Sequence, residues 1–205
     1  KVLEDAGYAL RGMTAVVQGD VPVGAGLSSS AAMEVGALLA FEVVSGFQVE
    51  PAQSALLAQK AENTFVGVNC GIMDQFASAC GVENKLLLLD CRSLEWKTIP
   101  LPEDVSIVIA DTTVRRKLTS GEYNKRRVAC EEAVRLLQKD LPKIESLRDV
   151  SVAEFNRYAK KLPVEVRKRA RHVVEEIGRS NQAEALLEAK DIHSFGRFMN
   201  ECHVS

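Results

Sequence analysis

The sequence predicts an α/β (α+β) protein in which a mixed sheet with helices is followed by a helix-rich second domain. Two observations carry this. Short apolar runs rich in β-formers, broken by Gly and Pro, are confined to the first half of the chain. From Tyr123 onward apolar residues recur instead at three- and four-residue spacing, the period of helices with one buried face.

Met13–Gly19 (MTAVVQG), Leu86–Asp90 (LLLLD) and Ser106–Asp111 (SIVIAD) read as strands, with Trp96–Ile99 a weaker one. Between the first two, Ser28–Ser45 has helix-forming composition and stops at Gly46, a natural C′ residue. Pro51–Phe65 begins with Pro at N1 and ends before Gly67. In the second half, Tyr123–Lys139 and Val152–Lys161 are helical and punctuated by Pro142 and Pro163. Pro163–Ile177 is expected to end at Gly178 and a separate helix to run over Asn181–Lys190. A last segment carries Ile192, Phe195, Phe198 and Met199, its apolar face still running at Ser205. The predicted division is residues 1–104 and 105–205. With Lys1 in place of an initiator Met, the sequence reads as the interior of a longer chain, truncated at both ends.

Composition narrows the function classes. Of 205 residues, 46% are hydrophobic and 26% charged, and the formal net charge is −2. That balance lacks the basic excess of a nucleic-acid surface, so no nucleic-acid partner is expected. No run reaches the ~18 apolar residues of a membrane span, so no membrane partner is expected. Five scattered cysteines without a CxxC pair fit a reducing, cytoplasmic setting rather than a disulfide framework or a structural zinc site. Nothing fixes the oligomeric state, and a monomer is favoured.

Chemistry concentrates in two strings. Asp20-Val-Pro-Val-Gly-Ala-Gly-Leu-Ser-Ser-Ser-Ala-Ala32 follows a predicted strand and opens a predicted helix. Gly24 and Gly26 allow positive φ and close approach of a ligand, and Ser28, Ser29 and Ser30 fall where the first helical N–H groups lack intrahelical partners. Free amides, hydroxyls and the positive helix end make an anion site, most naturally for phosphates. No Lys follows the second Gly, which excludes a Walker A loop, and Ser29 breaks a GxGxxG fingerprint. A bare GxG before Ser is a common Gly-rich turn; the thirteen-residue string is far more specific.

The second string is Glu62 to Gly81, ENTFVGVNCGIMDQFASACG. Asp74 lies in an apolar setting at the start of a predicted short helix, where a carboxylate accepts a hydroxyl proton or orients a hydroxyl for attack. Glu62 sits near the end of the preceding helix, where the dipole disfavours a carboxylate unless a positive charge such as a divalent metal compensates.

PVGAGLSSSAA resembles the phosphate-loop motif of the GHMP small-molecule kinases. AENTFVGVNCGIMDQF and the block from Asp111 to Arg127 (DTTVRRKLTSGEYNKRR) narrow the resemblance to the galactokinases, and it runs the length of the chain. It implies a GHMP-kinase-like two-domain fold, residues 1–104 belonging to an N-terminal ATP-binding domain and 105–205 to a helix-rich C-terminal domain. It also implies a left-handed βαβ crossover, which ordinary chain handedness does not predict.

The implied activity is ATP-dependent phosphorylation of the C1 hydroxyl of galactose to galactose 1-phosphate and ADP. Gly24, Ala25, Gly26, Leu27, Ser28, Ser29 and Ser30 would wrap the ATP phosphates, and the Ser30 hydroxyl and Glu62 would hold Mg2+. Asp74 would be the catalytic aspartate facing galactose, Cys70 and Gly71 would line the sugar pocket, and Tyr123 would contact the sugar. N-acetylgalactosamine or another alcohol is the alternative substrate, and a non-catalytic sensor of ATP and sugar the alternative class. The clusters Arg115-Arg116-Lys117 and Lys125-Arg126-Arg127 read as solvated faces more readily than as phosphate contacts.

Overall fold

The computed structural model describes residues 1–111, 113 and 121–205, in two compact units, Lys1–Ser120 and Gly121–Ser205. Arg115-Arg116-Lys117 and most of the loop in the Asp111–Arg127 block lie outside the described residues.

In the first unit a short helix α1 (Val2–Asp5) precedes α2 (Ser29–Ser45). Gly46 ends α2 at φ 78°, the left-handed conformation that the sequence reserves for it. Pro51 occupies N1 of α3 (Pro51–Ala61), which widens into a π-helical turn, Glu62–Val66. Gly67 (φ 80°) closes that turn by donating its N–H to the Glu62 carbonyl five residues back. Helix α4 (Met73–Cys80) follows, then β1 (Lys85–Leu89) and β2 (Trp96–Pro100), antiparallel with Lys85 opposite Pro100 and Leu89 opposite Trp96. The core lies where α3 and α4 meet: Ala55, Ile72, Phe76 and Cys80 are buried together, and Leu87 and Leu89 of β1 cover them. Burying Phe76 completely contributes about 1.5–3 kcal/mol relative to exposure, which fixes the rotation of α4 and with it the direction of its neighbours Asp74 and Gln75.

Two predicted strands do not pair. Met13–Gly19 and Ser106–Asp111 form no ladder, and Val16, Val17, Ile107, Val108 and Ile109 are exposed. Local β-propensity selects an extended backbone, but a ladder also needs a neighbouring edge. Among the described residues the sheet is the antiparallel β1–β2 pair, so the implied parallel crossover is not formed there.

The second unit is helical: α5 (Glu122–Leu137), α6 (Val152–Tyr158), α7 (Val164–Glu188) and α8 (Ile192–Val204). Its core joins Leu137, Leu147, Phe155, Ala170 and Val174. Ser151 and Glu154 form a capping box that starts α6, and Asp191 caps α8 by accepting from the Ser194 N–H at 3.0 Å. Gly178 does not end a helix as expected. Helix α7 runs through it, because an interior Gly costs only about 1 kcal/mol. Buried Ala170 and Val174 before it and Leu187 after it hold the helix in place, and Arg179 pairs with Glu176 across that point.

Candidate active site

The residues before α2 adopt the backbone that their sequence predicts. Gly24 and Gly26 have φ of 73° and 79°. Ser28 follows at φ 58° and ψ 39°, a left-handed conformation uncommon for a residue with a Cβ. Its side chain makes no capping hydrogen bond, while its carbonyl accepts the first helical bond from the Ala32 N–H at 3.0 Å. The first amides of a seventeen-residue helix therefore face a loop of small residues, with Ser28, Ser29 and Ser30 half-buried beside them. An anion is favoured there by both the free donors and the dipole.

One turn inside this helix end lies a buried polar cluster. Glu62 is 3% exposed, and its Oε2 accepts from Gln75 Nε2 at 2.9 Å and from Ser30 Oγ at 3.5 Å. The Cys70 thiol also points to it at 3.8 Å. Glu34 joins from α2: it lies four residues after Ser30 and so shares its helix face, and its Oε2 accepts from Gln75 Nε2 at 3.2 Å. The loop 67–71 is tied down beside the cluster, Cys70 N donating to Asn63 Oδ1 at 3.1 Å and Gln59 Nε2 to the Cys70 carbonyl at 3.2 Å. Ser30, Glu62 and Cys70 are thus brought together, and Asp74 stands half-buried in the first turn of α4, next in sequence to Gln75.

The cluster is rich in negative charge. Burial and the facing Glu62 carboxylate push Glu34 up to about 7, against the opposing pull of the Gln75 amide. The Cys70 thiol is raised, first by burial and then by Glu62. Gln75 Oε1 is buried and accepts no hydrogen bond among the described residues. Two carboxylates and a hydroxyl are hard oxygen donors short of positive charge, and they fit Mg2+, which takes one or two carboxylates and completes its shell with phosphate oxygens and water. Among the described residues no group of three His, Cys, Asp or Glu side chains forms a closed metal cage. An open site shared with a phosphate does not need one.

Residues 1–82 match the model of the GHMP kinases N terminal domain. A galactokinase of Roseiflexus sp. is 48% identical over 203 residues, 99% of this chain and 52% of that protein. Over nearly its whole length the chain is thus similar to a galactokinase, and over residues 1–82 to the GHMP kinases. A galactokinase of Chloroflexus aurantiacus is 45% identical over 196 residues, 96% of this chain and 50% of its own length. The crystal structure of Lactococcus lactis galactokinase complexed with galactose superposes with a TM-score of 0.84 at 30% identity, over 98% of this chain and 52% of that one. The chain spans about half the length of the curated relatives it matches.

Sequence reasoning missed Glu34, Asn63 and Gln75. The signal for Glu34 was its i+4 spacing from Ser30 in an otherwise apolar stretch; for Gln75 it was adjacency to Asp74. Tyr123 belongs to the second unit, at the second position of α5, and is 50% exposed. That unit also carries an open groove lined by Arg127, Cys130, Arg135, Leu147 and Val173. Arg127 and Arg135 there are paired with Glu131 and Glu132. No helix among the described residues is long and apolar enough to cross a membrane.

Proposed function

We propose that the protein transfers the γ-phosphoryl group of ATP to the C1 hydroxyl of galactose, giving galactose 1-phosphate and ADP. The observation that carries this is the meeting of the Ser30 hydroxyl, on the first turn of the anion-favouring helix, with the buried Glu62 carboxylate. Phosphoryl transfer asks for that combination: donors for phosphate oxygens beside an acidic group that recruits a cation. A relative crystallised with galactose supports the choice of sugar.

In this reading residues 1–104 are part of an ATP-binding domain and 105–205 part of a helix-rich domain. Backbone N–H groups of Gly24, Ala25, Gly26, Leu27, Ser28, Ser29 and Ser30 cradle the phosphates. Ser30 and Glu62 hold Mg2+, with Glu34 close by; when bound, the ion supplies positive charge against the charge developing on the transferred phosphoryl group. Asp74 accepts the hydrogen bond of the sugar C1 hydroxyl, aligns its oxygen for in-line attack and takes its proton as the P–O bond forms. Cys70 and Gly71 border the sugar, their loop fixed by Asn63 and Gln59. Tyr123 is assigned to the sugar on the similarity of its sequence block alone. The protein is expected to act on a small molecule in the cytoplasm, as a monomer.

The test is ADP release by the full-length protein with galactose and Mg2+. Asp74→Asn and Asp74→Ala should lower kcat by about 10²–10⁴-fold. Galactose-dependent turnover surviving in both rejects the assigned role, and preference for N-acetylgalactosamine in an acceptor panel moves the substrate.

A further inference from the structure

Gln75 is 1% exposed and lies at the third position of α4, next to Asp74. Its amide nitrogen reaches Glu62 Oε2 at 2.9 Å and Glu34 Oε2 at 3.2 Å, and Cys70 Sγ lies 3.7 Å away. An amide has two N–H groups, so each carboxylate can receive one. Turning the amide over would place its oxygen against the Glu62 carboxylate at the shorter of the two contacts, which favours the observed orientation, although it leaves Oε1 buried without a partner. The three side chains come from three elements: α2, the π-helical turn and α4. A lysine here would also bridge the carboxylates, but its charge would compete with a cation, whereas an amide orients them and leaves their charge in place.

We propose that Gln75 is a positioning residue for metal binding: its neutral amide sets the orientation of the Glu62 carboxylate, anchored on its other side by Glu34, and so couples the phosphate-loop helix to the helix that bears Asp74. This rests on the reading of Glu62 as a ligand of Mg2+. Gln75 acts through Glu62 and does not touch substrate. Outer-shell partners of this kind typically change metal affinity by about 10- to 100-fold when removed.

The experiment uses the full-length protein and compares wild type, Gln75→Met, Gln75→Asn and Glu62→Gln. Calorimetry measures ADP affinity with and without Mg2+, and steady-state assays measure the Mg2+ activation constant and KM for galactose. Gln75→Met keeps the volume and removes both donors. It should weaken Mg2+-dependent ADP binding and raise the Mg2+ activation constant by about 10-fold or more, with metal-free ADP affinity and KM for galactose within about twofold. Gln75→Asn keeps the NH2 group but is one methylene short of spanning both carboxylates; it should fall between, and it decides the matter if Gln75→Met does not fold. Wild-type Mg2+ dependence in the folded Gln75 variants, with Glu62→Gln impaired, overturns the positioning role and leaves the kinase reading standing. Equal losses in Mg2+-dependent binding, metal-free ADP binding and KM overturn it too, since they mark a packing role. Wild-type Mg2+ dependence in Glu62→Gln removes the premise itself, a result distinct from either.

Discussion

Ser30 Oγ and Glu62 Oε2 lie 3.5 Å apart although 32 residues separate them in the chain. One belongs to the first turn of α2, the other to the π-helical turn that continues α3. Substituting Glu62→Gln retains an oxygen that accepts from Ser30 and Gln75 but removes the charge. The folded variant should lose about 10²-fold or more in kcat, read as ADP release in the presence of galactose. Near-wild-type turnover would show that the carboxylate is structural.

The Glu34 carboxyl is raised by burial and by Glu62 to about 7, above its ordinary range near 4.5. Between those values the folded protein holds a proton that the unfolded chain has released, so stability falls as pH rises through that window. Glu34→Gln removes the group. The difference in Tm between pH 5 and pH 8 should be smaller in this variant than in wild type, with the gain appearing at pH 8. An unchanged difference, followed by calorimetry or circular dichroism, contradicts the assignment.

Burial and the neighbouring Glu62 carboxylate also keep the Cys70 thiol protonated at ordinary pH, whereas Cys91 lies exposed after β1. Iodoacetamide at pH 8, resolved residue by residue by peptide mass spectrometry, should alkylate Cys91 well before Cys70. Comparable rates would mean that the cluster is open to solvent and its charge better compensated than the packing indicates.

In the second unit, Gly178 lies inside α7, and a Cβ added there meets nothing within 4 Å. Gly178→Ala should therefore stabilise by about 0.5–1 kcal/mol, through lower entropy of the unfolded chain and better helix propensity. A rise in urea midpoint without a change in slope is the expected result; a fall would show that the glycine serves a packing role.

Much of the architecture was written locally. Gly46, Pro51 and Gly67 punctuate their helices as their backbone preferences require, and Gly24 and Gly26 take the positive φ that a tight loop before a helix demands. Asp74 falls at the start of its short helix as its context predicts. Gly178 misled because its local cost is smaller than the packing on either side of it, and Val16 and Ile107 misled because strand propensity says nothing about whether a neighbouring edge is present.

The sequence by itself determined the resemblance to galactokinases, the loop that opens α2 and the identity of the acidic residues worth watching, because motif spacing and backbone preference are local properties. Only the tertiary structure decided that Glu34, Glu62 and Gln75 share one buried point. That convergence depends on how α3 and α4 pack around Phe76 and on Glu62 continuing α3 in register so that it meets Ser30 of α2. Side chains from three elements meet there through long-range burial, which no window of sequence encodes.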